Sequence, residues 1–193
     1  MKLLKLLAVL YITFFSLGSY SSENLSKADS LKVTEARIDL KKATGDHRLL
    51  VEVKAPQINS ETIEYHFPKI VPGTYAIYNF GRYVSDLKAY DGNNSELSVV
   101  RKDTNIWSIS GASGLDHISY IVKDSYHSDD KPIVFEPAGS CIDSGKAFVL
   151  NNFCFVGYFE GYKDNPFNLV IDKPAGFFGS TSLPLVSTNE STD

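Results

Sequence analysis

The stretch VPGTYAIYNFGRY, residues 71–83, concentrates four aromatic rings and one guanidinium behind a proline-glycine pair. Such a set does recognition chemistry rather than bond making. Arg82 can stack on a ring or grip a carboxylate with two parallel N–H donors, and Tyr75, Tyr78, Phe80 and Tyr83 exceed what a turn needs. Pro72 fixes a negative φ and Gly73 tolerates a positive one, so Pro72, Gly73 and Thr74 suit a type II turn. Aromatic packing under a hairpin, covered by Arg82, accounts for the same residues, and the residue types leave both readings open. A second group, Asp124, His127, Asp129 and Asp130, places oxygen and imidazole donors in one short loop. Charged residues gather in solvated turns in any case, so no metal site is assigned to it.

Hydrolytic and nucleotide chemistry have no recognisable engine here. The four histidines, His47, His66, His117 and His127, do not form H-E-x-x-H, and no G-x-S-x-G elbow, P-loop or G-x-G-x-x-G occurs. Nineteen basic and 23 acidic residues are spread along the chain for a net charge of −4, without a basic block. Nucleic acid and anionic membrane surfaces are therefore poor partners.

The chain opens with a short basic head and an unbroken apolar run, MKLLKLLAVLYITFF, followed by small residues. That layout is a secretory signal over residues 1–22, and the run is shorter than the ~20 apolar residues of a spanning helix. An exported, periplasmic or extracellular protein is expected, with no membrane contact once the signal is removed. Residues 23–183 have the size of one domain, and 184–193 turn polar like the start of a connector. Cys141 and Cys154 could form a disulfide worth ~3 kcal/mol in the chain-entropy model or stay as buried thiols. The sequons at Asn24, Asn93 and Asn189 carry little weight.

Elements to position these groups are strands. Period-two alternation marks 31–42, 48–55, 96–102 and 115–124, and turn residues recur at roughly ten-residue spacing. The expected fold is all-β, an antiparallel β-sandwich with at most one or two short helical turns. One such turn is placed around Asn79 to Tyr83, before a strand at 84–90.

In order and spacing, VPGTYAIYNFGRYVSDLKAYDGNNSEL, KDTNIWSI, HISYIVKDSY, FVLNNFCFVGYFEGY and KPAGFFGSTSL resemble the amino-terminal β-domain of the glycyl aminopeptidase family, metallopeptidase family sixty-one. The resemblance covers most of 31–185. It puts the family's turn at Pro72, Gly73, Thr74 and Tyr75, its arginine at Arg82, its tryptophan at Trp107 and an Asn-Gly-rich hairpin at Asn151, Asn152 and Gly157. The chain departs at Thr74, where serine is usual, and at Cys154.

The resemblance also implies that the zinc-binding H-E-x-x-H belongs to a thermolysin-like domain that follows this one. A catalytic zinc needs three protein ligands and an open position. The chain alone is therefore expected to hold no cofactor and to hydrolyse no peptide. It would act as a scaffold whose partner is the catalytic domain of the same parent protein, with Tyr75 and Arg82 as candidates for the substrate cleft. Peptide substrate would be met only through that domain. Two rival readings are a carbohydrate-binding module, which requires several aromatics exposed in one plane, and an immunoglobulin-like adhesion module. The latter expects cysteines far apart around a buried Trp, unlike Cys141, Cys154 and Trp107.

Overall fold

A computed structural model describes residues 33–187. The signal segment, Asn24, Asn189 and the last residues of the connector lie outside that range. Among the described residues, twelve strands run β1 Thr34–Asp39, β2 Arg48–Lys54, β3 Thr62–His66, β4 Val84–Asp91, β5 Glu96–Leu97, β6 Val99–Asp103, β7 Ile106–Ser110, β8 Leu115–Lys123, β9 Cys141–Asp143, β10 Ala147–Val149, β11 Tyr158–Phe159 and β12 Phe167–Asp172. They form a six-stranded sheet in the order β12-β1-β2-β8-β4-β5, a four-stranded sheet β11-β3-β7-β6 and the β9-β10 hairpin.

The alternation read from the sequence decides which faces meet. In β2, Leu49, Val51 and Val53 turn inward while Glu52 and Lys54 stay in solvent. In β8, Leu115, Ile118, Tyr120 and Val122 do the same, and the irregular step from Leu115 to Ile118 coincides with a register shift against β4. From the smaller sheet, Tyr65, Trp107 and Ile109 point back across the core. The two layers touch through rings: Phe67 stands edge-on to Tyr120 at 5.2 Å and to Trp107 at 5.5 Å, geometry that suits the aromatic quadrupole.

Two tyrosine hydroxyls inside this core are paired in one direction. Gly157 N–H donates to the Tyr65 hydroxyl (3.0 Å), which lies 3.2 Å from the Tyr120 hydroxyl, and Tyr120 donates to the Phe155 carbonyl (2.9 Å). Because the Phe155 carbonyl can only accept, Tyr65 is the donor to Tyr120. Burial pushes both phenols well above their usual range.

The all-β class holds, with two departures from the sequence expectation. Strand β1 pairs with β12 in parallel, in register from Thr34–Phe167 to Asp39–Asp172, while the other pairings are antiparallel. Short helical turns number five among the described residues, at Leu40–Lys42, Phe80–Tyr83, Ala112–Gly114, Glu136–Ala138 and Asn152–Phe155. Local groups nucleate them: the Asp39 carboxylate accepts the Lys41 N–H (3.1 Å), and Pro137 sits in the first turn of Glu136–Ala138.

Candidate functional site

The loop between β3 and β4 carries the aromatic and arginine motif. Gly73 adopts φ +87°, Thr74 N–H bonds to the Val71 carbonyl (3.2 Å), and the Thr74 hydroxyl donates to the same oxygen (2.8 Å). This is the type II turn expected from Pro72-Gly73. Threonine keeps the hydroxyl that serine would offer there, so this departure from the family pattern leaves the turn's bonding intact. Tyr75 follows at φ +54°, in the left-handed region, with its side chain fully exposed between exposed Ile70 and Ile77. Tyr78 and Asn79 N–H both bond to the Lys69 carbonyl (2.7 and 3.0 Å), closing the neck of the loop.

Below that neck the chain dives into the core. Tyr78, Phe80 and Tyr83 are buried, Phe80 completely. Gly81 packs so close to β6-β7 that a Cβ would sit 2.2 Å from the Thr104 carbonyl oxygen, which excludes any side chain. Its N–H bonds to the buried Asn105 side chain (3.0 Å), which in turn donates to the Asn79 side chain (3.0 Å). Arg101 reaches the Gly81 and Thr104 carbonyls (2.9 and 2.8 Å) with its guanidinium 4.6 Å from the Trp107 ring centre.

Arg82 is committed. Its guanidinium lies 4.7 Å from the Tyr83 ring centre and donates to the Tyr83 hydroxyl (2.7 Å) and to the Lys131 and Pro132 carbonyls. Its Nε is buried without a partner among the described residues. Of the two readings the sequence left open for this guanidinium, stacking on a ring is the one seen, and its donors strap the 131–132 loop to the root of the aromatic loop. With Arg101, Lys102, Asp103 and Thr104 it lines an open basin of about 530 Å³. No hydrogen bond or ring contact joins Arg82 to Tyr75 among the described residues.

The positions read as a hairpin at Asn151, Asn152 and Gly157 form something else. The Asn151 side chain accepts the Phe153 N–H (3.1 Å) and caps an α-helical turn over Asn152–Phe155, after which β11 pairs with β3. An Asn that offers its oxygen to the first free N–H groups favours a helix start over a hairpin. The hairpin of this region lies upstream, in β9-β10. Gly157 is required by proximity, since a Cβ there would meet the His66 carbonyl at 2.3 Å.

Cys141 and Cys154 are free thiols, so the bridge left open by the sequence is not formed. Cys154 is buried with its thiol 3.5 Å from the Ala138 carbonyl, and burial pushes it up to about 12.

The loop after β8 brings together only part of its expected cluster. Asp124 and His127 are in contact, with His127 Nδ1 2.7 Å from the carboxylate, but Asp130 instead accepts the Ser128 hydroxyl (3.0 Å). The third member is His47, whose ring stacks on His127 with centroids 3.6 Å apart. Local spacing could not reveal it, because His47 arrives from a distant turn.

A family model described as the Peptidase M61 N-terminal domain matches residues 35–193. The chain belongs to this family. Among solved structures, this M61 N-terminal domain is similar to an aminopeptidase N family protein from Idiomarina loihiensis, with a TM-score of 0.61 and 23% identity over 73% of this chain. The likeness concerns the fold, and the chain spans 22% of the length of that protein. No curated protein sequence matches it. Within the M61 domain, the motif residues divide by role: Pro72, Gly73 and Thr74 shape the loop tip, Tyr75 projects from it, and Arg82 and Trp107 belong to its support. The domain thus presents a rigidly mounted aromatic tip and an open basic basin.

Proposed function

We propose that this chain is the non-catalytic amino-terminal scaffold of an exported zinc aminopeptidase of the glycyl aminopeptidase type. The loop tip at 70–77 packs on the catalytic domain of the parent protein and walls its cleft. The observation that carries this reading is the fully exposed Tyr75, mounted on a hydrogen-bonded turn and flanked by exposed Ile70 and Ile77. An aromatic side chain left wholly in water on so constrained a backbone loses apolar contact with nothing gained inside this domain, and a covering partner restores it. Phe178, Leu185 and Val186 are likewise exposed, as befits a segment leading toward a second domain. Zinc and its ligands reside in that second domain, and the basic head with its apolar run directs export.

The decisive experiment is Tyr75→Ala in the enzyme containing both domains. The reading expects a drop in kcat/KM for glycyl substrates with an unchanged melting temperature of the amino-terminal domain. Unchanged kcat/KM would remove Tyr75 from the cleft. Zinc-dependent release of glycine by the purified 193-residue chain would overturn the scaffold assignment itself. The export reading is tested by amino-terminal sequencing of the protein from separated cell fractions: loss of the first ~22 residues outside the cytoplasm is expected, and an uncleaved chain confined to the cytoplasm would overturn it.

A further inference from the structure

Away from the aromatic loop, the turn at 44–47, the segment after β8 and strand β9 converge on two histidines. His47 sits at φ +62°, in the left-handed region, held by its N–H bond to the Thr44 carbonyl (3.1 Å) and by the Asp124 N–H on its own carbonyl (3.0 Å). Its Nδ1 lies 2.7 Å from the Ile142 carbonyl. A carbonyl only accepts, so Nδ1 carries the proton and the lone pair of the neutral ring is on Nε2. The fully buried Asp124 carboxylate accepts the Ile142 N–H (2.7 Å), the His127 N–H (3.1 Å) and His127 Nδ1–H (2.7 Å), so the second ring is fixed in the same tautomer.

The rings are stacked 8° from parallel, and no described residue bonds to either Nε2. One potential ligand atom from each of His47, Asp124 and His127 lies within 4.8 Å of the other two. Stacking alone accounts for the ring contact. It does not account for both Nδ1 protons being anchored, one on a backbone carbonyl and one on a buried carboxylate. Those anchors are what orient metal-binding imidazoles and raise their basicity.

We propose that His47 and His127 form a two-imidazole site for a borderline divalent cation, with Asp124 orienting His127 from behind. A Zn–N bond of about 2.0–2.1 Å lets two nitrogens up to ~4.2 Å apart share one ion, and binding has to turn the near-parallel rings, 3.6 Å apart, toward each other so that their lone pairs converge. Imidazole selects Cu²⁺, Ni²⁺ and Zn²⁺ over Ca²⁺ and Mg²⁺. With two protein ligands the site is exchangeable and keeps open positions for water or an external donor. The proposed site differs from the sequence expectation of no metal, and it draws on His47 rather than on Asp129 and Asp130.

The test is titration of the purified chain with Cu²⁺ and Zn²⁺ against Mg²⁺ and Ca²⁺, read by copper paramagnetic resonance and by histidine ring resonances on zinc addition. One equivalent of Cu²⁺ with two imidazole nitrogens, and zinc-induced shifts confined to His47 and His127, are expected. His47→Gln and His127→Gln should each weaken binding by at least about tenfold, and Asp124→Asn by about 10–100-fold, while His66→Gln and His117→Gln leave it unchanged. Absence of a saturable equivalent, full affinity in His47→Gln or His127→Gln, or ring shifts centred on His66 or His117 would overturn the proposal. Should a variant melt early, the ring resonances of the unaltered chain still decide.

Discussion

The tip and the root of the aromatic loop are neighbours in sequence and opposites in physics. From 70 to 77 the side chains of Ile70, Tyr75 and Ile77 face solvent, and the backbone is held by bonds of the loop to itself. From 78 to 83 the side chains of Tyr78, Phe80 and Tyr83 are buried, and the backbone is held by Asn105, Arg101 and the Thr104 region. A single run of aromatics therefore serves two ends, anchoring at one and display at the other. The switch occurs at the Lys69 carbonyl, where two N–H groups close the neck.

Substitutions can break this division. Phe80→Ala empties a fully buried site and should cost about 3–5 kcal/mol, read from the urea midpoint at constant m-value. A loss below about 1 kcal/mol would mean that the root is no anchor. Asn105→Ala strands the Gly81 N–H in the core, and about 1–3 kcal/mol is expected; the same melt in Asn105→Asp, which retains an acceptor for that N–H, should recover part of it. Gly73→Ala meets open space but a left-handed backbone, so about 1 kcal/mol is the expected penalty, measurable as a small fall in Tm. Tyr75→Ala should stay within about 0.5 kcal/mol of the parent. A larger fall there would place Tyr75 in the support and erase the contrast.

Much of the support could be read from the sequence because its causes are local. Alternation in 48–55 and 115–124 names the inward residues of β2 and β8, and Pro72-Gly73 carries its turn geometry in its own φ preferences. The turn at 80–83 was likewise visible one residue from its observed start. What escaped is set by groups far apart in the chain. Arg82 looks like an open fork until the 131–132 carbonyls occupy it. Gly81 looks permissive, yet it is fixed by the Thr104 carbonyl. His47 joins Asp124 and His127 only because the 44–47 turn folds beside β9. The resemblance to the peptidase family identified the domain correctly, but its hairpin at 151–157 gave way to a capped helical turn once Asn151 offered its oxygen to Phe153.

The parallel pairing of β1 with β12 carries a consequence for the order of assembly. The first described strand of the large sheet finds its outer neighbour only in the last, so that edge of β1 stays open until residues 167–172 have emerged. Closing so long a loop is entropically slow. During synthesis the sheet can zip through β2, β8 and β4, yet its β1 edge is covered last, by β12. Maturation of the sandwich is thereby tied in time to completion of its own carboxy-terminal strand.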